Sequence, residues 1–271
     1  MAIKIFPSQS WLEFRSLPER PGLNTTTHMA LVADHNGVAQ KCYLKFINVQ
    51  ESPGLLCEGI GWLVAKAAGI DVPDFAAIVL VPLDKLAKSM KIPTWMNGYA
   101  EYPAWCVKAV DGKSIAQINK WSAWLRRSQC LSAKSTPALA AFDKWIDNRD
   151  RNYGNIIRIS AKNYSAIDHE KILYELLWVN SYQITFDERS LLIQAAANLD
   201  DVKRHNFLCS AAKAADGHSR ALDSSAQEII QYLSYIVVGD QESKLLWDAI
   251  QKFLKSRSTP GWMANELGVI V

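Results

Sequence analysis

Three side chains pose the first question. Asp150 and Asn155 stand five residues apart in D-N-R-D-R-N-Y-G-N (147–155), and Asp168 follows thirteen residues after Asn155 in A-I-D-H (166–169). Acidic and amide residues at a helix end are ordinarily caps and turns, so either of the first two alone says little. Together, the set suits phosphoryl transfer. One Asp orients or deprotonates an attacking hydroxyl, while an Asn and a second Asp hold the magnesium ions that neutralise a triphosphate. Magnesium takes hard oxygen ligands and few from protein, so Asn155 and Asp168 suffice beside phosphate and water. Asp147, the first acid of the stretch, reads as a solvated helix-end residue.

The same chemistry needs a strand lysine on the phosphates and a helix carboxylate to hold it. Lys45 lies near the end of V-A-Q-K-C-Y-L-K-F (38–46), and Glu58 comes thirteen residues later in a segment of helical periodicity. Each has a plainer reading, as an edge-strand lysine or a solvated helix glutamate. The argument for chemistry is their order: Lys, Glu, Asp, Asn and Asp, each on the element the reaction requires. Neither G-x-G-x-x-G nor G-x-x-x-x-G-K-[ST] occurs. G-L-N-T-T-T-H (22–28) precedes the first predicted strand instead, and its backbone N–H groups and hydroxyls make either a phosphate cradle or an ordinary polar loop.

The elements that must carry these residues follow from periodicity. M-A-L-V-A-D (29–34) and 38–46 flank an N-G turn, which predicts a hairpin. In the second run Cys42, Leu44 and Phe46 share one face, and Lys41, Tyr43 and Lys45 the other. Residues 53–69 read as a helix with a stripe of Leu56, Ile60, Leu63, Val64 and Ala67, stopped by Gly69. F-A-A-I-V-L-V-P-L (75–83) reads as a buried strand, 83–100 as a charged, Pro- and Gly-punctuated insertion, and 104–110 as another strand. Residues 1–23, with Pro7, Pro18, Pro21 and Gly22, read as irregular. Beyond 111–114 the pattern is helical over 115–146, 188–199 and 226–255, with short β segments at 156–159 and 165–167. Asp200, Asp201 and Lys203 mark a polar helix boundary. The expected class is α+β: a β-rich part with one helix over residues 1–110 and a largely helical part over 111–271.

Bulk properties narrow the partners. A net charge of +3 over 271 residues argues neither for a nucleic-acid binder nor for a strongly acidic partner, and Lys120, Arg126 and Arg127 read as a solvated helix face. The five cysteines are scattered and odd in number, with no C-x-x-C pair or zinc spacing, which fits reduced, buried thiols in a cytoplasmic protein. The N-terminus lacks the apolar core of a signal peptide, and the longest apolar run, 75–83, is too short to span a bilayer. His28 and His35 read as loop residues.

With these residues assembled, N-R-D-R-N-Y-G-N-I-I followed by A-I-D-H resembles the N-x-D-R-x-x-x-N-I-L … I-D-H pattern of HipA-like kinases and their relatives, the phosphatidylinositol 3/4-kinases. A-F-D-K-W-I-D before the loop, the strand ending Y-L-K-F, and E-G-I-G-W-L-V-A-K-A-A-G-I-D-V-P are similar to the same family, so the resemblance spans about residues 24–175. It implies a two-lobed, protein-kinase-like fold and an ATP- and magnesium-dependent kinase. The γ-phosphate would pass to a protein serine or threonine, in a toxin–antitoxin type of role with an antitoxin-like partner. It makes Asp150 the catalytic aspartate, Asn155 and Asp168 the metal ligands, Lys45 the phosphate-binding lysine and Glu58 its partner. It also places Cys106, Val107 and Lys108 at the adenine-cradling hinge, and Thr25, Thr26 and Thr27 in the phosphate loop. Asn152 stands where relatives often have histidine, and the chain is shorter than full-length HipA toxins. His169 either orients Asp168 or a phosphate, or packs. The alternatives are a lipid or small-molecule kinase, sharing the I-D-H signature, and a non-catalytic kinase-like binding module.

Overall fold

The structure, a computed structural model, describes residues 2–18, 26–50, 52–118, 120–178 and 190–271. Helices and strands are mixed, and the chain divides into two compact units: Met1–Leu55 with Pro73–Val110, and Leu56–Val72 with Asp111–Val271. The helix expected among the N-terminal strands therefore groups with the second unit.

The first unit is built on a six-stranded sheet of β1 (Lys4–Phe6), β2 (Trp11–Ser16), β3 (Thr27–Ala33), β4 (Ala39–Phe46), β5 (Ala76–Pro82) and β6 (Glu101–Lys108), in the order β1-β5-β6-β4-β3-β2. β1 and β5 pair in parallel and every other pair is antiparallel. Residues 4–6 and 11–16 correct the expectation of an irregular start. Both strands are short and lie at the sheet edges, where neighbouring prolines do not interrupt a ladder. The alternation expected in β4 is observed: Cys42, Leu44 and Phe46 are buried in the core while Lys41 is exposed. The segment after β5 covers that core face. It opens with the short helix α2 (Leu83–Leu86), and it buries Leu83, Leu86 and Met96. Its charges had hidden those apolar anchors.

His28 is not a loop residue. It lies fully buried on β3, stacked between Phe14 and Phe46 at ring separations of 5.9 and 5.5 Å. Trp11 Nε1–H donates to its Nε2 at 3.3 Å, so the ring is neutral, and burial lowers its pKa from 6.5 to about 4.

The second unit contains α1 (Gly54–Ala67), a three-stranded antiparallel sheet of β7 (Lys113–Ser114), β8 (Ile156–Arg158) and β9 (Tyr164–Ala166), and eight further helices among the described residues. These are α3 (Ala123–Leu131), α4 (Thr136–Trp145), α5 (Tyr174–Leu177), α6 (Leu191–Ala196), α7 (Asp201–Ala214), α8 (His218–Ile236), α9 (Asp240–Ser256) and α10 (Trp262–Leu267). The helical pattern expected over 115–146 is broken into α3 and α4 at residues 132–135, with Pro137 in the first turn of α4. Helix α7 was not expected. Asp200, read only as a boundary, is its N-cap and accepts from the Lys203 N–H at 2.9 Å. The expected helix at 188–199 begins inside 179–189, outside the described residues, and is seen as α6.

Candidate active site

Of the residues singled out from the sequence, Thr26, Thr27, Lys45, Cys106, Val107 and Lys108 lie in the first unit, and Glu58, Asp150, Asn155 and Asp168 in the second. Thr25 lies outside the described residues. In the first unit, register places Lys45 opposite Thr27 on β3 and Trp105 on β6, so these three share one sheet face, with Tyr43 and Val107 beside them. Thr26 closes the strand start: its hydroxyl donates to the Phe46 carbonyl at 2.9 Å, and its own carbonyl accepts from the Phe46 N–H. Cys106 points the other way, into the core, where burial beside Cys42 pushes its thiol up. The Lys108 and Ala109 N–H groups donate to the Phe75 and Lys41 carbonyls. The Lys108 and Ala109 N–H groups are thus engaged within the sheet.

The catalytic-loop candidate is organised by an ion pair that the motif spacing did not reveal. Asp143, near the end of α4, and Arg151 are each 2% exposed. The guanidinium straddles the carboxylate, with Nε 3.1 and 2.9 Å from the two oxygens and a terminal nitrogen 2.8 Å from Oδ1. Its other terminal nitrogen donates to the Ile167 carbonyl at 2.6 Å and the Asn155 carbonyl at 3.4 Å. One buried side chain thus ties α4, the loop containing Asn155, and the residue preceding Asp168. Burial pushes the Asp143 carboxyl upward against the pull of Arg151. The forked geometry and a guanidinium that does not deprotonate hold it ionised. The sequence signal was a carboxylate inside the apolar run A-L-A-A-F-D-K-W, which demands a buried cation.

Within the loop, Asn152 turns the chain. Its Oδ1 accepts from the Gly154 N–H at 2.8 Å, and its Nδ2 donates to the Asp150 carbonyl at 3.1 Å. Asn155 is nine-tenths buried and donates from Nδ2 to the same carbonyl at 3.2 Å. That bond fixes the amide orientation and leaves Oδ1 as its hard oxygen donor. The Ile167 N–H donates to the Asn155 carbonyl at 3.1 Å. Asp150, Asn155 and Asp168 therefore sit on adjoining backbone held by one hydrogen-bond network.

Asp168 has φ +64°, a left-handed conformation that Asp tolerates better than bulkier residues. The next N–H, of His169, donates to Glu58 Oε2 at 2.8 Å. Glu58 is thus a buried anchor for the I-D-H segment, not a solvated helix glutamate. Two glycines allow this approach. A Cβ on Gly61 would lie 2.4 Å from His169 Cβ, and one on Gly59 would lie 2.2 Å from the Tyr232 ring of α8. His169 packs edge-on to Phe142 with ring centroids 6.1 Å apart.

Asp147 is corrected as well. It is 4% exposed, at φ +50°. Its carboxylate accepts from Arg149 Nε at 3.0 Å and from the Glu175 N–H at 2.8 Å, capping the start of α5. The polarity of the opening stretch mostly serves to stitch the loop to residues 167–175.

Among the described residues no three His, Cys, Asp or Glu side chains gather into a metal site of their own. A cation at Asn155 and Asp168 would complete its shell with phosphate and water, as magnesium commonly does. No protein-family model matches the chain, and no curated protein matches it. No helix among the described residues is long and apolar enough to cross a membrane.

Proposed function

We propose that the protein is an ATP- and magnesium-dependent kinase of protein-kinase-like, two-lobed fold. In this reading the first unit is the nucleotide-binding lobe and the second the catalytic lobe. The observation that carries it is the Arg151 network, which joins the Asp150–Asn155 loop to the Asp168 segment, beside an Asn155 amide whose Oδ1 is oriented as a hard oxygen donor. Asn155 Oδ1 and the Asp168 carboxylate would hold magnesium, which would neutralise phosphate charge. The family resemblance adds Lys45 as the phosphate-binding lysine. Asp150 orients the acceptor hydroxyl and takes its proton as the γ-phosphate transfers in line. Positioning and electrostatics carry such a reaction, so a network that fixes the loop backbone is a functional part. The family resemblance adds a protein serine or threonine as acceptor, and a toxin–antitoxin type of role with an antitoxin-like partner.

The test is phosphate transfer from γ-labelled ATP to lysate proteins and, in parallel, to lipids. Asp150→Ala is expected to abolish transfer while preserving the rise in Tm given by Mg-ATP, because ligand binding stabilises the folded state. Full activity in that variant would sink the assignment. Label in lipids alone would favour a lipid kinase, and no Tm rise in the wild type would favour a non-catalytic module.

A further inference from the structure

We infer that the exposed face of α3 docks an acidic, apolar-anchored segment of a protein partner, delivering it beside the catalytic loop. Trp124 is 79% exposed and Leu125 47%, and Trp121, in the turn leading into α3, is 97% exposed. Positions 121, 124 and 125 fall on one side at helical spacing. They present apolar surface on the order of 500 Å², comparable to the largest apolar patch on a typical monomer, which is often functional.

Charge selects the occupant. Residues 112–142 carry Lys113, Lys120, Arg126, Arg127 and Lys134 and no acidic residue, although the whole chain is only +3. Elements packed against α3 include the turns at Ile115–Gln117 and Lys120–Ser122, α4 and α6. Their one acid is Asp143, buried against Arg151. A tryptophan-rich patch in so basic a setting complements acidic chains. Continuity supplies the destination. The Arg127 guanidinium lies 4.7 Å over the ring of Tyr153, a residue between Asp150 and Asn155. Whatever seats on α3 therefore begins next to the loop that would act on it. That the docked segment is acted on by the loop rests on the kinase reading; the docking itself does not.

The probe is a fluorescein-labelled peptide of Glu-Glu-Leu-Phe-Ser repeats, read by anisotropy, with a Lys-for-Glu counterpart as control. Wild-type protein is expected to bind the acidic peptide, more weakly as salt rises, and to prefer it over the basic one. Trp121→Ala/Trp124→Ala is expected to weaken binding about tenfold or more with unchanged circular dichroism and Tm, since both side chains are exposed. Equal binding by the double variant overturns the inference. So does tryptophan-dependent sedimentation with phosphatidylserine vesicles but no peptide binding, which makes the face a membrane contact. A concentration-dependent dimer abolished by the double variant, without peptide binding, likewise replaces the partner by a second copy. Anisotropy needs no catalysis, so an inactive protein that still binds the peptide removes the kinase reading and leaves the docking face standing.

Discussion

The Asp143–Arg151 pair allows a quantitative test of how the candidate loop is held. Both side chains are out of water, and removing one partner of such a pair leaves an uncompensated buried charge, which costs about 3–5 kcal/mol. The two truncations are not equivalent. Asp143→Asn loses the charge and keeps a group that can still accept, while the Arg151 bonds to the Asn155 and Ile167 carbonyls survive. Arg151→Met loses the pair and both carbonyl bonds. Hydrogen bonds from charged donors are worth about 1.5–3 kcal/mol, but one of these is long, so the expected excess of Arg151→Met over Asp143→Asn is about 1–3 kcal/mol. Removing both partners restores neutrality, so the double variant should fall short of the sum by about 2–3 kcal/mol. Urea unfolding followed by tryptophan fluorescence measures all three, and the Mg-ATP rise in Tm reports the site. Arg151→Met should lose most of that rise, and Asp143→Asn should retain part of it. A cost below about 1 kcal/mol for Arg151→Met, or strict additivity in the cycle, would refute the argument that this pair organises the loop.

Two further outcomes follow from buried groups elsewhere. His28 and His218, the latter stacked 4.3 Å from the Trp145 ring, both have pKa values lowered by burial from 6.5 to about 4. Stability should therefore be full above pH 6.5 and decline as pH falls toward 4. By pH 5 the loss is about 2 kcal/mol per histidine, at about 1.4 kcal/mol per pH unit; NMR titration of either ring near 6.5 would contradict it. Gly61→Ala gains about 0.5–1 kcal/mol of helix propensity but drives its Cβ against His169, an overpacking cost of about 1–3 kcal/mol. The net should be a lower Tm together with a weakened Mg-ATP shift, and an unchanged shift would show that the α1–His169 approach does not matter to the site.

Much of the scaffold was readable because it rests on local patterns. The β3–β4 hairpin follows from an N-G turn between alternating runs, and α1 from its apolar spacing and terminal glycine. Strands β1 and β2 were not readable, being three and six residues long and dependent on partners far along the chain. The site divides in the same way. Asp150, Asn155 and Asp168 have recognisable spacing, whereas Asp143 and Arg151 become a unit only once a helix end folds back on a loop. Glu58 shows both sides of this. Its position on a helix was expected, but its hold on the His169 N–H depends on a chain reversal that no periodicity encodes, and Asp147 looked solvated for the same reason.

Residues 56–72 belong to the second unit yet lie between β4 and β5 in sequence. During synthesis, all six strands of the first sheet have been made once Lys108 is added. Helix α1 is by then complete, but His169 and Tyr232, which fill the hollows over Gly61 and Gly59, do not yet exist. For more than half the length of the chain, an apolar helix waits for its permanent neighbours. Nascent α1 is thus a segment with a claim on a chaperone.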